Sequence, residues 1–304
     1  MKLINSSFEI LEQEPGLQGI YKQIELAGRT CYKSLDKITK DSARGFVDRM
    51  IASQHHAMLE HGTVYLLFSE CCYHRPDGEF IDKYTKNPYS KVVCIGTDDD
   101  LVEQTSGEKT YLGDVLGTGI YGNALYAITT NYRVLVENGW LDDLKYLYSP
   151  TKYHEKRVTV RFTTDRGVSH EFVRHRVFSF AQESTRYCNY SKDKFGGELT
   201  FIEPSWDMTL KPSDYGEDRS LPFLLSNIEI EYNHLINDCG WKPQQARMIL
   251  PNCIKTELVM TGFTSDWNHF FDLRARGTTG APHPDAKALA EPLMGEFYKR
   301  GYIK

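Results

Sequence analysis

The strongest constraint on the fold is that two kinds of apolar spacing occur along one chain of 304 residues. Residues 157–162 alternate between apolar and polar side chains, which predicts a half-buried β-strand. Residues 17–27 and 40–56 instead carry apolar side chains at helical spacing, and residues 63–68 form a short strand-like run. A chain of this length that mixes both periods can bury a substantial core, and it predicts an α+β fold.

The C-terminal third is predicted to be mainly helical, with segments at residues 221–236, from Pro243, and at about 285–299. A helix is also predicted from Gly167 through His175, after the strand at 157–162. The chain has no internal repeat and no low-complexity linker. One compact domain is therefore expected.

The segment at about 69–156 differs in character from the rest and predicts an insertion into this domain. It contains polar turns and a strand-like run at residues 91–95. Apolar side chains at residues 125–135 recur at helical spacing, and Gly139 follows them. An amphipathic helix is therefore expected before this glycine.

Composition narrows the class of function. The formal net charge of -5 disfavours a nucleic-acid binder but allows a local basic pocket for a small anionic ligand. The seven cysteines are an odd number at irregular spacing, unlike a disulfide framework or a zinc ribbon, which favours a reducing cytoplasm. The N-terminal residues do not resemble a signal peptide, and no apolar run approaches the roughly 20 residues that span a bilayer. A soluble protein without a membrane partner is expected.

Basic side chains are concentrated at Arg174, His175, Arg176 and Arg186. An arginine presents a planar fork of donors that binds phosphate, or the carbonyl and imide edge of a base, in a bidentate way. The cluster therefore indicates a site for a nucleotide monophosphate. A salt-bridged helix surface would account for the charges as well.

The spacing of this cluster is typical of one family. Arg174, His175 and Arg176, followed after seven residues by Ser184, resemble the signature of flavin-dependent thymidylate synthases. Further blocks resemble that family in the same order along the chain. These blocks are residues 27–30, 59–61, 169–173, 246–251 and 273–275.

The resemblance implies one compact α+β domain over residues 1–304, with mixed helices and an antiparallel sheet, in which the insertion at about 69–156 is atypical of the family. It implies reductive methylation of deoxyuridylate (dUMP) to thymidylate (dTMP). Methylenetetrahydrofolate would give the carbon, and FAD reduced by NADPH would carry the hydride, because no side chain can supply one. It also implies a homotetramer.

The resemblance further implies roles for individual residues, without a metal. Arg274 would be catalytic, lying at the uracil edge and favouring ionisation of N3. The dUMP site would contain Glu171, Phe172, Val173, Arg174, Gln182, Glu183, Ser184, Thr185, Arg186, Arg247 and Arg274. The FAD site would contain His55, Ala57, Arg174, His175, Arg176, Phe263, Ser265 and His269.

Four of these positions depart from the commoner family pattern. Gln182 and Glu183 stand where many members have a glutamate and an apolar residue. Phe263 replaces a usual asparagine, and Ala57 replaces a small hydroxyl residue.

Two other classes of function compete with this interpretation. Residues 117–122 match the glycine pattern of a dinucleotide-binding Rossmann oxidoreductase, but no apolar strand ending in an acidic residue follows about 20 residues later. A non-catalytic nucleotide or RNA-binding module could use the arginines together with Tyr187, Tyr190 and Phe195 as stacking platforms. The acidic balance disfavours that module.

Two further kinds of chemistry are disfavoured by spacing. His170 and His175 are five residues apart, not the four that place two zinc ligands on one helix face. Clusters around His55 and around Cys71 also lack metal-ligand spacing. Cys188 lies near the motif, and we interpret it as a small buried thiol, not a nucleophile.

Overall fold

The computed structural model describes residues 1–71, 79–97, 101–103, 109–112, 123–206 and 220–304. The chain divides into two compact units. The first unit comprises Met1–Glu12, Leu26–Thr39 and Val158–Lys304, and the second comprises Gln13–Glu25 and Lys40–Arg157. The second unit contains the segment at 69–156, and its description as an insertion into a single domain stays a prediction.

Strands and helices are interspersed along the chain, with the following bounds. The strands are β1 (Lys2–Ile4), β2 (Ser7–Leu11), β3 (Thr63–Cys71), β4 (Lys91–Thr97), β5 (Leu101–Glu103), β6 (Lys109–Tyr111), β7 (Asn123–Asn131), β8 (Arg157–Asp165), β9 (Ser179–Gln182), β10 (Thr200–Ile202) and β11 (Lys255–Phe263). The α-helices are α1 (Gly16–Cys31), α2 (Ser42–Ala52), α3 (Glu79–Thr85), α4 (Tyr132–Asn138), α5 (Arg166–Phe172), α6 (Leu221–Asn237), α7 (Pro243–Ala246), α8 (Thr264–Phe271) and α9 (Pro284–Lys299). The predicted α+β class, with mixed helices and antiparallel sheet, is confirmed.

The first unit is built on a four-stranded sheet in the order β2-β8-β11-β9. The pairs β2 with β8 and β11 with β9 are both antiparallel. Helices α5, α8 and α9 contact one another, and their aromatic side chains form a core with the inner face of the sheet. At its centre the indole of Trp267 donates a hydrogen bond of 3.1 Å to the backbone carbonyl of Val158.

The strand β11 corrects the prediction that the C-terminal third is mainly helical. Eight of its nine residues are buried, from Lys255 to Phe263, because it has a neighbouring strand on each side and packing on both faces. Such a strand has no polar face and so lacks the alternation by which a half-buried strand is recognised.

The predicted helix at 125–135 is wrong in its first half. Residues up to Asn131 form β7, the central strand of the antiparallel sheet β3-β7-β4 in the second unit. The side chain of Asn131 then accepts a hydrogen bond of 3.2 Å from the Val134 amide and begins α4, which ends at Gly139 with φ of 71°. Apolar side chains on both faces of β7 imitated helical spacing.

The second unit has its own core, formed by α1, α2 and the sheet β3-β7-β4. Fully buried aliphatic side chains such as Ile20, Ile24 and Ile128 pack there. The predictions of helices at 17–27 and 40–56 and of strands at 63–68 and 91–95 are confirmed by α1, α2, β3 and β4. Over the described residues, no helix is long and apolar enough to cross a membrane.

A glycine in β11 allows the sheet to approach the aromatic core. A Cβ added at Gly262 would lie 2.3 Å from a ring carbon of Phe178, and that ring packs edge-on against Trp267 at 4.8 Å. We expect Gly262→Ala to lower the free energy of unfolding by about 1–3 kcal/mol, because the ring cannot move without disturbing the core. Urea unfolding followed by circular dichroism measures this change.

Gly295 provides the matched control for that substitution. It lies inside α9, and no atom would come within 4 Å of an added Cβ. Gly295→Ala should raise the free energy of unfolding by about 0.5–1 kcal/mol through helix propensity alone. Equal stability of the two variants would contradict this account of the core.

Candidate active site

A π-helix positions the predicted catalytic arginine. Helix α8 continues into the π-helical turn Asp272–Arg276, which carries Arg274 and ends at Gly277 with φ of 69°. A Cβ at Gly277 would lie 3.0 Å from the carbonyl oxygen of Gly280, so the following loop can close back only over a glycine. π-helical turns are rare in proteins, and those that occur are often found at functional sites.

Arg274 is held by three acceptors around its guanidinium group. Its Nε donates to Nε2 of His175 at 3.2 Å, and its Nη2 donates to the backbone carbonyl of Glu171 at 2.9 Å. Its Nη1 forms an ion pair with the carboxylate of Glu171. These bonds use three of the five N–H groups, so two remain for a ligand with respect to the described residues.

His175 must be unprotonated at Nε2, because that atom accepts the bond from Arg274. Burial lowers the pKa of His175 to about 4, assisted by the positive charges of Arg274, His269 and Arg174. The ring packs edge-on against Phe270, with centroids 5.1 Å apart. His175 is therefore a neutral acceptor at neutral pH that fixes the orientation of the guanidinium group.

The free energy of unfolding should depend on pH through His175. Its pKa is about 4 when folded and about 6.5 when unfolded, so the unfolded chain binds the proton more readily between these values. The contribution of His175 to stability is thus complete above pH 6.5 and is lost as the pH falls towards 4. Relative to His175→Gln, the wild type should lose on the order of 3 kcal/mol more over this range.

Urea unfolding at several pH values measures this difference, and nuclear magnetic resonance of the His175 ring measures its titration directly. A titration midpoint near 6.5 in the folded protein would contradict the neutral-acceptor role.

These side chains line a cavity of about 900 Å³ in the first unit. Three arginines and a single carboxylate are among its walls, which favours an anionic ligand. The lining residues are Glu171, Arg174, His175, Arg176, Val177, His269, Leu273, Arg274, Thr279, Gly280, Ala281, Pro282, His283 and Pro284. Residues predicted for flavin and residues predicted for dUMP therefore share one cavity.

The loop before α9 was not predicted to take part in the site. Residues from Thr279 to Pro284 form one wall of the cavity. The sequence signal that could have identified it is Pro284 at the first helical position, which fixes where the loop ends against α9.

The predicted helix through His175 is three residues shorter in the structure. Helix α5 ends at Phe172, and Arg174 and Arg176 follow in a turn with exposed side chains. The side chain of Phe172 lies in the core against Phe162 and Phe270, so any ligand contact that it makes would come from its backbone. Val173 follows as the C-cap of the helix.

Glu183 is held inside the protein by a buried charge network. Its carboxylate accepts hydrogen bonds from Nζ of Lys255 at 2.8 Å and from the hydroxyl of Tyr190 at 2.8 Å. Lys255 also donates to Glu257 at 2.7 Å. The sequence analysis did not identify Lys255, which lies 72 residues from Glu183 along the chain.

Most of the remaining residues predicted for dUMP lie at the end of strand β9 or directly after it. The Gln182 amide donates to Ser169 Oγ at 2.8 Å, and the Ser184 backbone amide donates to the carbonyl of Cys31 at 2.9 Å. Arg247 Nη1 donates to Thr185 Oγ1 at 3.4 Å, which brings two predicted residues 62 positions apart together. The side chain of Arg186, which is also predicted for dUMP, is exposed on this unit.

The residues predicted for flavin are divided between the two units. Phe263 and Ser265 lie at the start of α8, in the same unit as the cavity. His55 and Ala57 are exposed residues of the second unit. Their roles in flavin binding stay predictions.

The interpretation of Cys188 as a buried thiol is confirmed. It is fully buried, and burial together with the nearby charge of Glu183 raises its pKa to about 12. Burial likewise raises the pKa of Cys31 to about 11. Both thiols are neutral at pH 7.

The competing glycine pattern at 117–122 lies outside the described residues.

Comparison with known proteins identifies related sequences. The family model described as thymidylate synthase complementing protein matches residues 148–300, half of the chain. A flavin-dependent thymidylate synthase from Corynebacterium aurimucosum is 36% identical over 118 residues, covering 36% of this chain and 46% of that protein. Another from Pyrococcus furiosus is 31% identical over 139 residues, covering 46% and 53%. The chain thus spans about half the length of the curated relatives it matches.

Solved structures give weaker similarity. A UMP/dUMP methylase from Streptomyces cacaoi bound with 5-Br UMP has a TM-score of 0.42 at 14% identity, covering 98% of this chain and 92% of that one. A flavin-dependent thymidylate synthase from Helicobacter pylori complexed with FAD and dUMP has a TM-score of 0.33 at 17% identity, covering 47% and 70%.

Proposed function

Because the chain belongs to the thymidylate synthase complementing protein family, we propose that it catalyses the reductive methylation of dUMP to dTMP with a bound flavin. The observation that carries this proposal is the geometry of Arg274. It is a partly buried arginine, fixed by His175 and Glu171, whose remaining N–H groups are available at a cavity lined by the arginine motif.

The size and charge of the cavity suit a flavin dinucleotide. Its volume of about 900 Å³ lies within the range of cofactor sites, and its positive lining suits a pyrophosphate and a reduced flavin. Arg174 and Arg176 are the exposed cations that would hold the anionic parts, while neutral His175, whose Nε2 accepts from Arg274, would donate from Nδ1 without adding charge. When bound, FAD supplies the hydride that no side chain can provide.

In this proposal Arg274 acts on the uracil ring. Methylation at C5 requires electron density at that carbon, and withdrawing the N3 proton raises it. A guanidinium group at the carbonyl and N3 edge stabilises the resulting negative charge without itself losing a proton. Burial lowers the pKa of Arg274, the charge of Arg174 adds to this effect, and the charge of Glu171 only partly opposes it. An arginine in this setting still stays charged at any working pH.

The same proposal includes the other participants. Methylenetetrahydrofolate gives the carbon, and NADPH reduces the flavin. The enzyme is a homotetramer in the cytoplasm. It binds small-molecule substrates, and it binds neither nucleic acid nor a membrane. Arg247 and Thr185, which are hydrogen-bonded to each other, are the residues that we assign to dUMP away from the uracil edge. Ser184 lies between Gln182 and Thr185 along the chain.

Arg174→Ala should lose the bound flavin. Arg174 is exposed in the cavity wall, so its removal deletes a cation without leaving a buried gap. We expect the purified variant to lose most of its absorbance near 450 nm and to need at least about tenfold more added FAD for half-maximal activity. Arg186→Ala is the control for flavin absorbance only, since Arg186 is also exposed but is not among the cavity-lining residues. Full retention of flavin by Arg174→Ala would refute the placement of the motif.

The proposal as a whole is tested by an anaerobic assay of the purified full-length protein. The assay follows dTMP formation and flavin absorbance with dUMP, methylenetetrahydrofolate and NADPH. Product that requires both FAD and NADPH supports the proposal. A colourless protein that forms no dTMP with added FAD would overturn it.

A further inference from the structure

A second cluster of reactive side chains lies at the C-terminal end of α6, among residues not assigned to the proposed site. Cys239 is an exposed free cysteine two residues after the helix ends. The backbone amides of Asp238 and Cys239 both donate to the carbonyl of His234, at 3.0 and 3.1 Å. The Trp241 amide donates to the carbonyl of Leu235 at 2.8 Å, which fixes the helix end.

Three side chains in this cluster form a hydrogen-bonded chain. Asp238 Oδ2 lies 2.9 Å from Nδ1 of His234, and Nε2 of the same ring lies 3.4 Å from Sγ of Cys239. The carboxylate can only accept, so the ring proton is placed on Nδ1 and Nε2 is left to accept from the thiol. An acid, a histidine and a nucleophile in this order are the arrangement by which a thiol is activated.

The position of the cluster on the helix favours a specific direction of proton transfer. The carbonyl end of a helix stabilises an imidazolium, and the Asp238 carboxylate stabilises it further. The same carbonyl end disfavours an isolated thiolate. Because Nε2 of His234 lies within hydrogen-bonding distance of Sγ of Cys239, the histidine is the residue to test.

We propose that Cys239 is a reactive thiol site that undergoes exchange with low-molecular-mass disulfides, with His234 as its base and Asp238 as the residue that orients the base. The proton of Cys239 passes to Nε2 of His234, and Sγ attacks one sulfur of the disulfide. The new S–S bond joins Cys239 to one half of the reagent, and the bond between the two reagent sulfurs breaks. The other half leaves as a thiolate and takes the proton from His234, so the disulfide is the oxidant and no other reactant is needed.

This inference goes beyond the proposed function and does not depend on it. The chemistry needs neither flavin nor nucleotide, and none of its three residues was assigned to either ligand.

The test measures how fast each cysteine of the full-length protein reacts with 5,5′-dithiobis(2-nitrobenzoate) at pH 7, using peptide mass spectrometry to assign the label. Cys94 is the internal reference, because it is also an exposed free cysteine. We expect Cys239 to react roughly tenfold faster than Cys94 and to lose that advantage in His234→Gln. Asp238→Asn should fall between the two, and labelling of Cys94 should be the same in every variant.

Two controls separate activation from exposure. In urea, Cys239 of wild type and of His234→Gln should react at the same rate, because the hydrogen-bonded chain no longer exists. Incubation with oxidised glutathione should add one glutathione to Cys239 that dithiothreitol removes, and this addition should also slow in His234→Gln. Equal rates for Cys239 and Cys94, or a Cys239 rate unchanged by His234→Gln in the folded protein, would overturn the proposal.

Discussion

Replacing Arg274 by alanine should reduce the turnover of dUMP about a hundredfold to a thousandfold while the protein retains its flavin. The substitution removes the cation that would stabilise negative charge on the uracil, and a single fixed donor at such a position is worth roughly 10²–10³ in kcat. Flavin should remain because Arg174, Arg176 and His269 still line the cavity. Single-turnover dTMP formation and absorbance near 450 nm measure the two properties separately.

Two variants make this result specific to the position of the charge. Arg276 lies two residues later in the same π-helix, but it is exposed and bonds Asp272 and Tyr298, so Arg276→Ala should stay within about twofold of wild type. Arg274→Lys keeps a charge without the planar fork that reaches both His175 and Glu171, and it should recover only a small part of the activity. Turnover like that of the wild type in Arg274→Ala would count decisively against the assigned role.

Which strands could be predicted from the sequence depended on how each one is buried. Strand β8 alternates between buried and partly exposed positions at Arg157, Val158, Arg161 and Phe162, and its pattern was recognised. Strands β7 and β11 are packed on both faces, so their apolar residues carry no period that distinguishes a strand from a buried helix. The short strand β9 was missed because four residues are too few for any period to appear.

The site shows the same division between local and distant information. The motif from Arg174 to Ser184 is local and can be read directly. The contacts that orient Arg274 join it to Glu171 and His175 across 103 and 99 residues. They form in a fold in which α5 and the π-helical turn both contact α9. A resemblance could suggest that Arg274 matters, but it could not show that a neutral histidine and a backbone carbonyl hold it.

Lys255 is the clearest residue that sequence reasoning missed. It is 9% exposed and Glu183 is 2% exposed, so two opposite charges are buried together. Burial lowers the pKa of Lys255, but the charges of Glu183 and Glu257 outweigh that effect and raise it, so the ammonium stays charged. In the sequence it is one lysine in a run read as helical. In the structure it fixes the segment that follows β9 and carries Ser184 and Thr185.

Lys255→Met should therefore lower the free energy of unfolding by about 3–5 kcal/mol, because it leaves the Glu183 carboxylate buried without its cation. Lys299→Met is the matched control, since Lys299 pairs with Glu296 on the surface and should cost less than about 0.5 kcal/mol. Adding Glu183→Gln to Lys255→Met removes the stranded charge and should restore part of the loss, while the amide oxygen still accepts from Tyr190. Urea unfolding of the four proteins at pH 7 measures these differences. A Lys255→Met variant as stable as Lys299→Met would mean that water or a shift of Glu183 relieves the charge, and the segment at Ser184 and Thr185 would then not depend on this ion pair.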